Sequence, residues 1–299
     1  MNKDPQDRRE FLRQVPRLGA TMLAAQWATA SPQAYAQAQN PAPPVPAPPV
    51  PAAPPPAAPA PGAGLPPHWL GKEQIAMLIY PDFTALDMVG PQYMLAGLMG
   101  ATVHLVAASR EPVKSDTGLV FVPSMTMAEC PRDLDILFVP GGSRGTIAAM
   151  RDRKLVEWVA EQGRRAKWVS SVCTGSMVLA QAGLLRGKRA TSHWVTRELL
   201  ANFGAIPVDE RVVWDGNTVT GAGVSAGIDL GLEVVARLRD ATYAQAMQLA
   251  AEYAPRPPFN AGTPRTAPPN VHALISGRFD KLRAQMTESA KDMLAAPAQ

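Results

Sequence analysis

The chain has 299 residues, 46% of them hydrophobic, which is enough to bury one large core or two small ones. Its formal charge of +4 falls to +2 once residues 1–17, with five basic and three acidic side chains, are set aside, so charge does not indicate a nucleic-acid partner. The two cysteines, Cys130 and Cys173, are too few for a disulfide scaffold and lack the CxxC spacing of a metal site, which makes a single reactive thiol the more informative reading.

Residues 1–36 have the pattern of an export signal. The segment Asp7-Arg8-Arg9-Glu10-Phe11-Leu12 resembles a twin-arginine signal, residues 18–30 are mildly apolar, and Ala34-Tyr35-Ala36 is a small-x-small cleavage site. The stretch is too short and too weakly apolar to remain in a bilayer. We therefore expect a periplasmic protein with no stable membrane insertion after cleavage. A basic amphipathic helix or a disordered tail is the alternative.

A linker is predicted over residues 37–71. Of the 31 prolines, 14 fall between Pro41 and Pro67, and no Asp, Glu, Lys or Arg occurs from residue 18 to residue 71. Such a segment cannot fold around a core and favours extended polyproline II. We interpret it as a spacer, because no basic residue flanks the prolines to orient a PxxP ligand.

Residues 72–255 alternate short apolar runs with amphipathic stretches, which is typical of a single doubly wound, flavodoxin-like α/β domain with a mostly parallel sheet flanked by helices. Strands are predicted at 75–80, 102–107, 136–139, 168–172, 208–213 and 218–220. Helices are predicted at 86–99, 152–165, 174–182, 195–203 and 226–238. Ligands of such sheets bind at the carboxyl ends of the strands.

The remaining residues, 256–299, are predicted to form a proline-rich tail followed by one terminal helix over Val271–Leu294. The sequence leaves open whether this helix packs on the domain or closes a dimer.

The most informative motif is Ser171-Val172-Cys173-Thr174-Gly175. A buried strand ends at Val172 and a helix begins near Thr174, so the thiol lies on the turn between them, as in a nucleophile elbow. The helix N-terminus is expected to favour the thiolate and to lower the pKa of the cysteine. A buried structural cysteine is the alternative.

Two further motifs are expected near this turn. The glycines of Val139-Pro140-Gly141-Gly142 follow a strand, and their N–H groups could hold a developing negative charge. Asp87 begins the helix after the first strand; it either caps that helix or points across the strand ends and shares a proton with Cys173. Each motif also has an ordinary structural use as a turn or a cap.

Together these residues carry a resemblance to a known family. The segments Pro140-Gly141-Gly142, Cys173-Thr174-Gly175, 190–194 (Ala-Thr-Ser-His-Trp) and 223–229 (Gly-Val-Ser-Ala-Gly-Ile-Asp) resemble the ThiJ/PfpI family of the class I glutamine-amidotransferase-like superfamily. Residues 86–91, Leu-Asp-Met-Val-Gly-Pro, are similar to the acidic motif of its isonitrile-hydratase subgroup.

The resemblance implies that Cys173 is the nucleophile, Asp87 the acid–base group and Thr174 a supporting donor, with the Gly142 amide helping to stabilise charge. His193, 20 residues after the cysteine, could form a Cys–His pair, although Asp87 is the partner implied for this subgroup. Asp229 is expected to cap a helix. No cofactor, metal or phosphate loop is indicated, since the histidines lack metal spacing and the glycine pairs lack a GxGxxG context. Family members usually form homodimers, and we expect the same here.

The function that this resemblance implies is hydration of a small isonitrile substrate to an N-substituted formamide by a hydro-lyase. One alternative is a glyoxalase-like hydratase of small α-oxoaldehydes, which would depend more on His193. Another is a non-catalytic periplasmic ligand-binding or redox-sensing module, similar to the ligand domains of AraC-type regulators.

Overall fold

A computed structural model describes residues 64–295, and it describes side-chain burial through residue 290. The predicted signal at 1–36 and most of the predicted linker lie outside the described residues and stay predictions. Within the described part of the chain, no helix is both long enough and apolar enough to span a bilayer.

Eleven strands are described. In chain order they are β1 Gln74–Leu78, β2 Thr102–Ala107, β3 Val113–Lys114, β4 Val120–Phe121, β5 Met125–Thr126, β6 Ile136–Val139, β7 Trp168–Val172, β8 Arg189–Ala190, β9 Ile206–Pro207, β10 Val212–Asp215 and β11 Thr218–Gly221. Seven of them form one sheet in the order β10-β11-β7-β6-β1-β2-β5. Only the β10–β11 pairing within this sheet is antiparallel. The predicted mostly parallel sheet is confirmed.

Helices cover the sheet in two groups. In chain order they are α1 Ala85–Ala96, α2 Ser143–Arg151, α3 Arg153–Arg165, α4 Gly175–Gln181, α5 Ala226–Leu238, α6 Ala241–Ala250, α7 Pro269–Arg278 and α8 Asp280–Ala295, with 3-10 turns at Pro67–Trp69 and Arg197–Phe203. Helix α5 packs on α1 and α6, whereas α2 packs on α3, α4 and α8. The chain leaves β1 toward β2 and later crosses from β6 to β7 in the opposite direction. Right-handed crossovers therefore place α1 and α3 on opposite faces.

The central strands carry the core because both of their faces are covered. All four residues of β6, Ile136–Val139, are buried, as are the last four residues of β1. The parallel register pairs Val139 with Ser171, so β6 and β7 end side by side. The residues that follow Val139 and Val172 are consequently neighbours at one edge of the sheet.

Several predicted boundaries differ from the structure. The predicted strand 208–213 is only partly present, because residues 208–211 connect β9, which pairs with β8 in a separate two-stranded sheet, to β10, which pairs with β11. The predicted helix 195–203 is a 3-10 helix over Arg197–Phe203. Helices α2 and α6 were not predicted.

The predicted terminal helix is two helices, α7 and α8, separated at Phe279. Leu282, Met286 and Ala290 of α8 are buried, and this helix packs against α2 and the Arg197–Phe203 turn. The C-terminal region therefore packs on the α/β domain of its own chain.

The segment before β1 is held against the domain by contacts of Trp69 and Glu73. Trp69 lies edge-on to Tyr243 with ring centroids 5.0 Å apart, and its Nε1–H donates to Asp240 at 2.7 Å. Arg239, with a side chain only 2% exposed, forms two hydrogen bonds with Glu73, at 2.6 Å and 2.9 Å. These contacts tie the first described residues to the α5–α6 corner.

Candidate active site

Cys173 lies on the turn between β7 and α4. Its φ of 58° is in the left-handed region that non-glycine residues rarely adopt. The Cys173 N–H donates to the carbonyls of Ala222, at 2.7 Å, and Gly221, at 3.1 Å, which holds this conformation. A Cβ at Gly175 would lie 2.2 Å from the Val139 carbonyl oxygen, so only glycine lets α4 begin this close to β6. The residue is 6% exposed. The predicted strand–turn–helix geometry is therefore present.

The groups around the sulfur of Cys173 have opposing effects on its pKa. The backbone N–H groups of Thr174 and Val224 hydrogen-bond to it and lower its pKa. Burial and the carboxylate of Asp87 raise it by more, so the pKa of Cys173 lies well above its ordinary value. This shift is opposite in direction to the lowering expected from the helix N-terminus, because burial and the nearby carboxylate disfavour the charged sulfur.

Asp87 is completely buried in the first turn of α1 and reaches the same place. Its Oδ2 accepts the Gly141 N–H at 2.9 Å, while its Oδ1 receives no donor among the described residues. Burial raises the pKa of Asp87 to about 7, against the lowering effects of the Cys173 thiol and the Gly141 N–H. Asp87 is thus not a helix cap.

Cys173 and Asp87 form a coupled buried pair. Burial raises the pKa of the Asp87 carboxyl to about 7, and burial together with the Asp87 carboxylate raises the pKa of the Cys173 thiol, so the ionised form of each group is disfavoured. The thiol is close enough to affect the titration of the carboxyl, but the two are not an aligned hydrogen-bonded pair in this structure. Catalytic hydrogen bonds commonly align only when substrate binds.

The Pro140–Gly142 turn has a different role from the one expected. Its Gly141 N–H donates to Asp87, and its Gly142 N–H donates to Thr174 Oγ1 at 2.9 Å. Both N–H groups are therefore occupied, and Gly142 is not a free donor for a developing oxyanion. The turn instead orients the carboxyl and the hydroxyl beside Cys173.

The hydroxyl of Thr174 is the centre of a buried polar network. It accepts from Gly142, shares a hydrogen bond of 2.8 Å with Thr146 Oγ1 and lies 3.4 Å from the Gly142 carbonyl oxygen. Tyr80, at the end of β1, donates to the Pro140 carbonyl at 2.6 Å and lies 3.3 Å from Thr146 Oγ1. Sequence reasoning missed Tyr80, Thr146 and Val224. The only signal for Tyr80 was a polar residue at the end of an apolar strand.

His193 is placed near the pair but makes no hydrogen bond to Cys173 in the described part of the chain. Its Nδ1 accepts the Val195 N–H at 3.4 Å, and its ring lies between Trp194 and Phe279 at centroid distances of 5.8 Å and 5.7 Å. Burial lowers its pKa to about 4, so the ring is neutral at physiological pH. This environment is that of a packed structural histidine.

Asp229, the remaining acidic residue singled out in the sequence, lies apart from the Cys173–Asp87 pair. Asp229 does not cap α5; its carboxylate pairs with Arg211 and accepts the Tyr253 hydroxyl at 2.9 Å. Among the described residues, no group of three His, Cys, Asp or Glu side chains is arranged to hold a metal ion.

Two cavities are also separate from the pair. One of about 500 Å³ lies at the ends of β1 and β2 and is lined by Tyr80 and Ala148, and one of about 110 Å³ lies against Trp194 and Val271. Neither is lined by Cys173 or Asp87.

The sheet, the left-handed cysteine and the buried carboxyl place this chain among α/β proteins that carry a cysteine on a strand-to-helix turn. The sequence pattern of the DJ-1/PfpI family matches residues 73–237. The chain belongs to the DJ-1/PfpI family.

Individual relatives extend this similarity. The chain is 46% identical over 220 residues to the isonitrile hydratase of Pseudomonas putida, covering 73% of this chain and 96% of the relative. A solved structure of a ThiJ/PfpI family protein from Pseudomonas syringae is 50% identical with a TM-score of 0.74, covering 77% of this chain and 98% of that one. The HTH-type transcriptional regulator CdhR of Pseudomonas aeruginosa is 34% identical over 136 residues, which is 45% of this chain and 40% of the regulator.

Proposed function

We propose that this protein is a cofactor-free hydratase that converts an organic isonitrile, R–NC, into the N-substituted formamide, with Cys173 as nucleophile. The observation that carries the proposal is the burial of Cys173 and Asp87 at one edge of the sheet, where the Gly141 N–H holds the Asp87 carboxyl beside the turn that carries the thiol. The extensive identity to the Pseudomonas putida isonitrile hydratase supports the same substrate class.

The chemistry of the isonitrile carbon requires both groups of this pair. That carbon holds a lone pair and becomes electrophilic when it is protonated. Asp87, as carboxylate, accepts the thiol proton and passes it to the carbon while the sulfur attacks. A C–S bond and a C–H bond form, and the product is a thioimidate, R–N=CH–S, on Cys173 with Asp87 again ionised.

Hydration of the thioimidate then regenerates the enzyme. Asp87 accepts a proton from water as the water oxygen attacks the thioimidate carbon, and it delivers that proton to nitrogen. The adduct R–NH–CH(OH)–S collapses with cleavage of the C–S bond, and the hydroxyl proton returns through Asp87 to sulfur. One water is consumed for each formamide released, and no cofactor or redox partner is needed.

The restricted access to Cys173 is consistent with this substrate. The residue is 6% exposed, and the two cavities described above do not include it. The reacting carbon of an isonitrile is the terminal atom of a linear R–N≡C group, so it presents a small cross-section to a buried thiol. A branched α-oxoaldehyde presents a broader reacting centre.

The glyoxalase-like alternative loses support from the position of His193. That reaction would depend on a base at His193, whose ring instead bonds to the Val195 N–H and packs between aromatic rings. The sensing alternative has one observation in its favour, because the chain also resembles part of a transcriptional regulator.

The deciding experiment incubates the purified protein with cyclohexyl isonitrile, with an aryl isonitrile and separately with methylglyoxal. Formamide and lactate are followed by NMR. We expect formamide from the isonitriles and a loss of at least a thousandfold in Cys173→Ala and Asp87→Asn, with Cys130→Ala as the matched thiol control. Absence of formamide, or unchanged turnover in Cys173→Ala, would overturn the proposal. Lactate formation alone would favour the glyoxalase-like reaction.

A further inference from the structure

We propose that Tyr80 and Thr146 are positioning residues for the acid–base step, because their buried hydroxyls hold the Pro140–Gly142 turn that orients Asp87 and Thr174. The consequence for turnover rests on the proposed function. The geometric part rests on hydrogen bonds alone.

The position of the Pro140–Gly142 turn depends on contacts with residues outside it. Gly141 and Gly142 have no side chains to pack, and the carboxyl and hydroxyl that they orient are themselves side chains on other elements. A Cβ on Gly141 would lie 2.7 Å from Asp87 Oδ2 and 2.7 Å from Thr174 Oγ1, so the turn is packed directly against both side chains. A displacement of the turn by a fraction of an ångström changes the bond from Gly141 to Asp87.

Tyr80 fixes the first peptide group of the turn. Its hydroxyl donates to the Pro140 carbonyl at 2.6 Å, and the residue is 3% exposed. A buried phenol needs a hydrogen-bond partner, and a buried carbonyl without one is destabilising, so the two groups hold each other in place. The same peptide group ends in the Gly141 nitrogen that donates to Asp87.

Thr146 fixes the second part of the turn through Thr174. The two hydroxyl oxygens are 2.8 Å apart, and Thr146 is fully buried. Since Tyr80 uses its proton on Pro140, it can only accept from Thr146, at 3.3 Å. When Thr146 donates to Thr174 instead, the Thr174 proton keeps only the 3.4 Å contact to the Gly142 carbonyl and can turn toward substrate.

The expected readout is the titration of the pair rather than stability alone. The titratable groups that act on Asp87 are the Cys173 thiol and the Asp116 carboxylate, and Asp87 in turn raises the pKa of the Tyr80 phenol, whose largest cause of elevation is burial. An N–H donated to a carboxylate favours its charged form. If the turn loosens, the Gly141 N–H binds Asp87 less well, and the pair loses its first proton at a higher pH.

The experiment compares Tyr80→Phe and Thr146→Val with Thr146→Ser, which restores the hydroxyl. Tyr243→Phe is a matched control, because that buried hydroxyl donates to the Gly97 carbonyl at 2.7 Å, far from the turn. Thr218→Val is the second control; its buried hydroxyl accepts from Lys188. Two properties are measured: turnover of cyclohexyl isonitrile, and the pH dependence of Cys173 alkylation by iodoacetamide, followed on the Cys173 peptide by mass spectrometry.

We expect each of the two site variants to lower kcat about tenfold with little change in KM. Each should also move upward, by about half a pH unit, the lower alkylation inflection, at which the pair loses its first proton and Asp87 becomes able to accept the thiol proton. Thr146→Ser should restore kcat to within about threefold of wild type and return the alkylation inflection toward its wild-type pH. The control variants should leave kcat and the inflection unchanged.

A wild-type alkylation profile in Tyr80→Phe and Thr146→Val would overturn the inference, as would equal shifts in the two controls. If wild-type protein forms no formamide, the proposed function fails, but the alkylation profiles still decide the role of the two hydroxyls. Urea unfolding of each variant at one pH shows that the folded protein is being compared.

Discussion

Asp87→Asn should make the folded protein more stable above neutral pH while removing its acid–base group. In the folded chain burial raises the pKa of Asp87 from 3.8 to about 7. The unfolded chain ionises near the ordinary value, so the folded chain binds the proton more tightly. Stability contributed by this group therefore falls as pH rises from about 4 to about 7, and the loss is complete above that range.

The size of the effect follows from the shift. A difference of about three pKa units corresponds to about 4 kcal/mol of destabilisation at pH 8, and this is an upper limit because the carboxyl shares its proton with Cys173. Roughly 2–3 kcal/mol of it should develop between pH 5 and pH 8. Asparagine does not ionise and can still accept the Gly141 N–H through its amide oxygen, so it avoids the cost of the buried charge.

The assay is urea unfolding of wild type and Asp87→Asn at pH 5, 6, 7 and 8. The quantity compared is the difference in unfolding free energy between the two proteins, which cancels the contribution of other titrating groups. Asp133→Asn is the matched control, since that side chain is 97% exposed. A difference for Asp87→Asn that stays the same at pH 5 and pH 8 would refute the assignment of Asp87 as the group that titrates near neutrality.

Two further substitutions test the surroundings of the Cys173–Asp87 pair, and a third tests the ion pair between Arg239 and Glu73. Gly141→Ala should reduce isonitrile turnover at least a hundredfold in a folded protein, since its Cβ would lie 2.6 Å from the Thr174 nitrogen; wild-type turnover would contradict the packing of the turn. His193→Gln should keep turnover within about threefold, because the ring bonds to the backbone and not to sulfur, and a hundredfold loss would place it in the reaction. Arg239→Ala should lower the unfolding free energy by about 3 kcal/mol, because it leaves Glu73, 12% exposed, without its partner; a change below about 1 kcal/mol would show that the pair behaves as a surface ion pair.

The class of fold could be predicted because it depends on local pattern. Apolar runs such as Ile136–Val139 are buried on both faces only in a covered parallel sheet, and the predicted bounds of β2, β6, β7 and α5 agree with the structure. The strand predicted at 208–213 was only partly right, because β9 before it pairs with β8 in a separate sheet and β10 begins at Val212, where it pairs with β11. Such long-range pairing leaves no mark on local periodicity.

For the candidate site, sequence alone placed Cys173 on a strand-to-helix turn and brought Asp87 and the Pro140–Gly142 turn to the same edge, because parallel strands end together. Only the tertiary structure decided the state and the partner of each group. Burial depends on every element packed around the sulfur, and it raises the pKa of the thiol where the local turn alone predicts a lowering. Hydrogen bonds across the fold occupy the Gly142 N–H and add Tyr80 and Thr146, whose places in the chain give no hint that they meet.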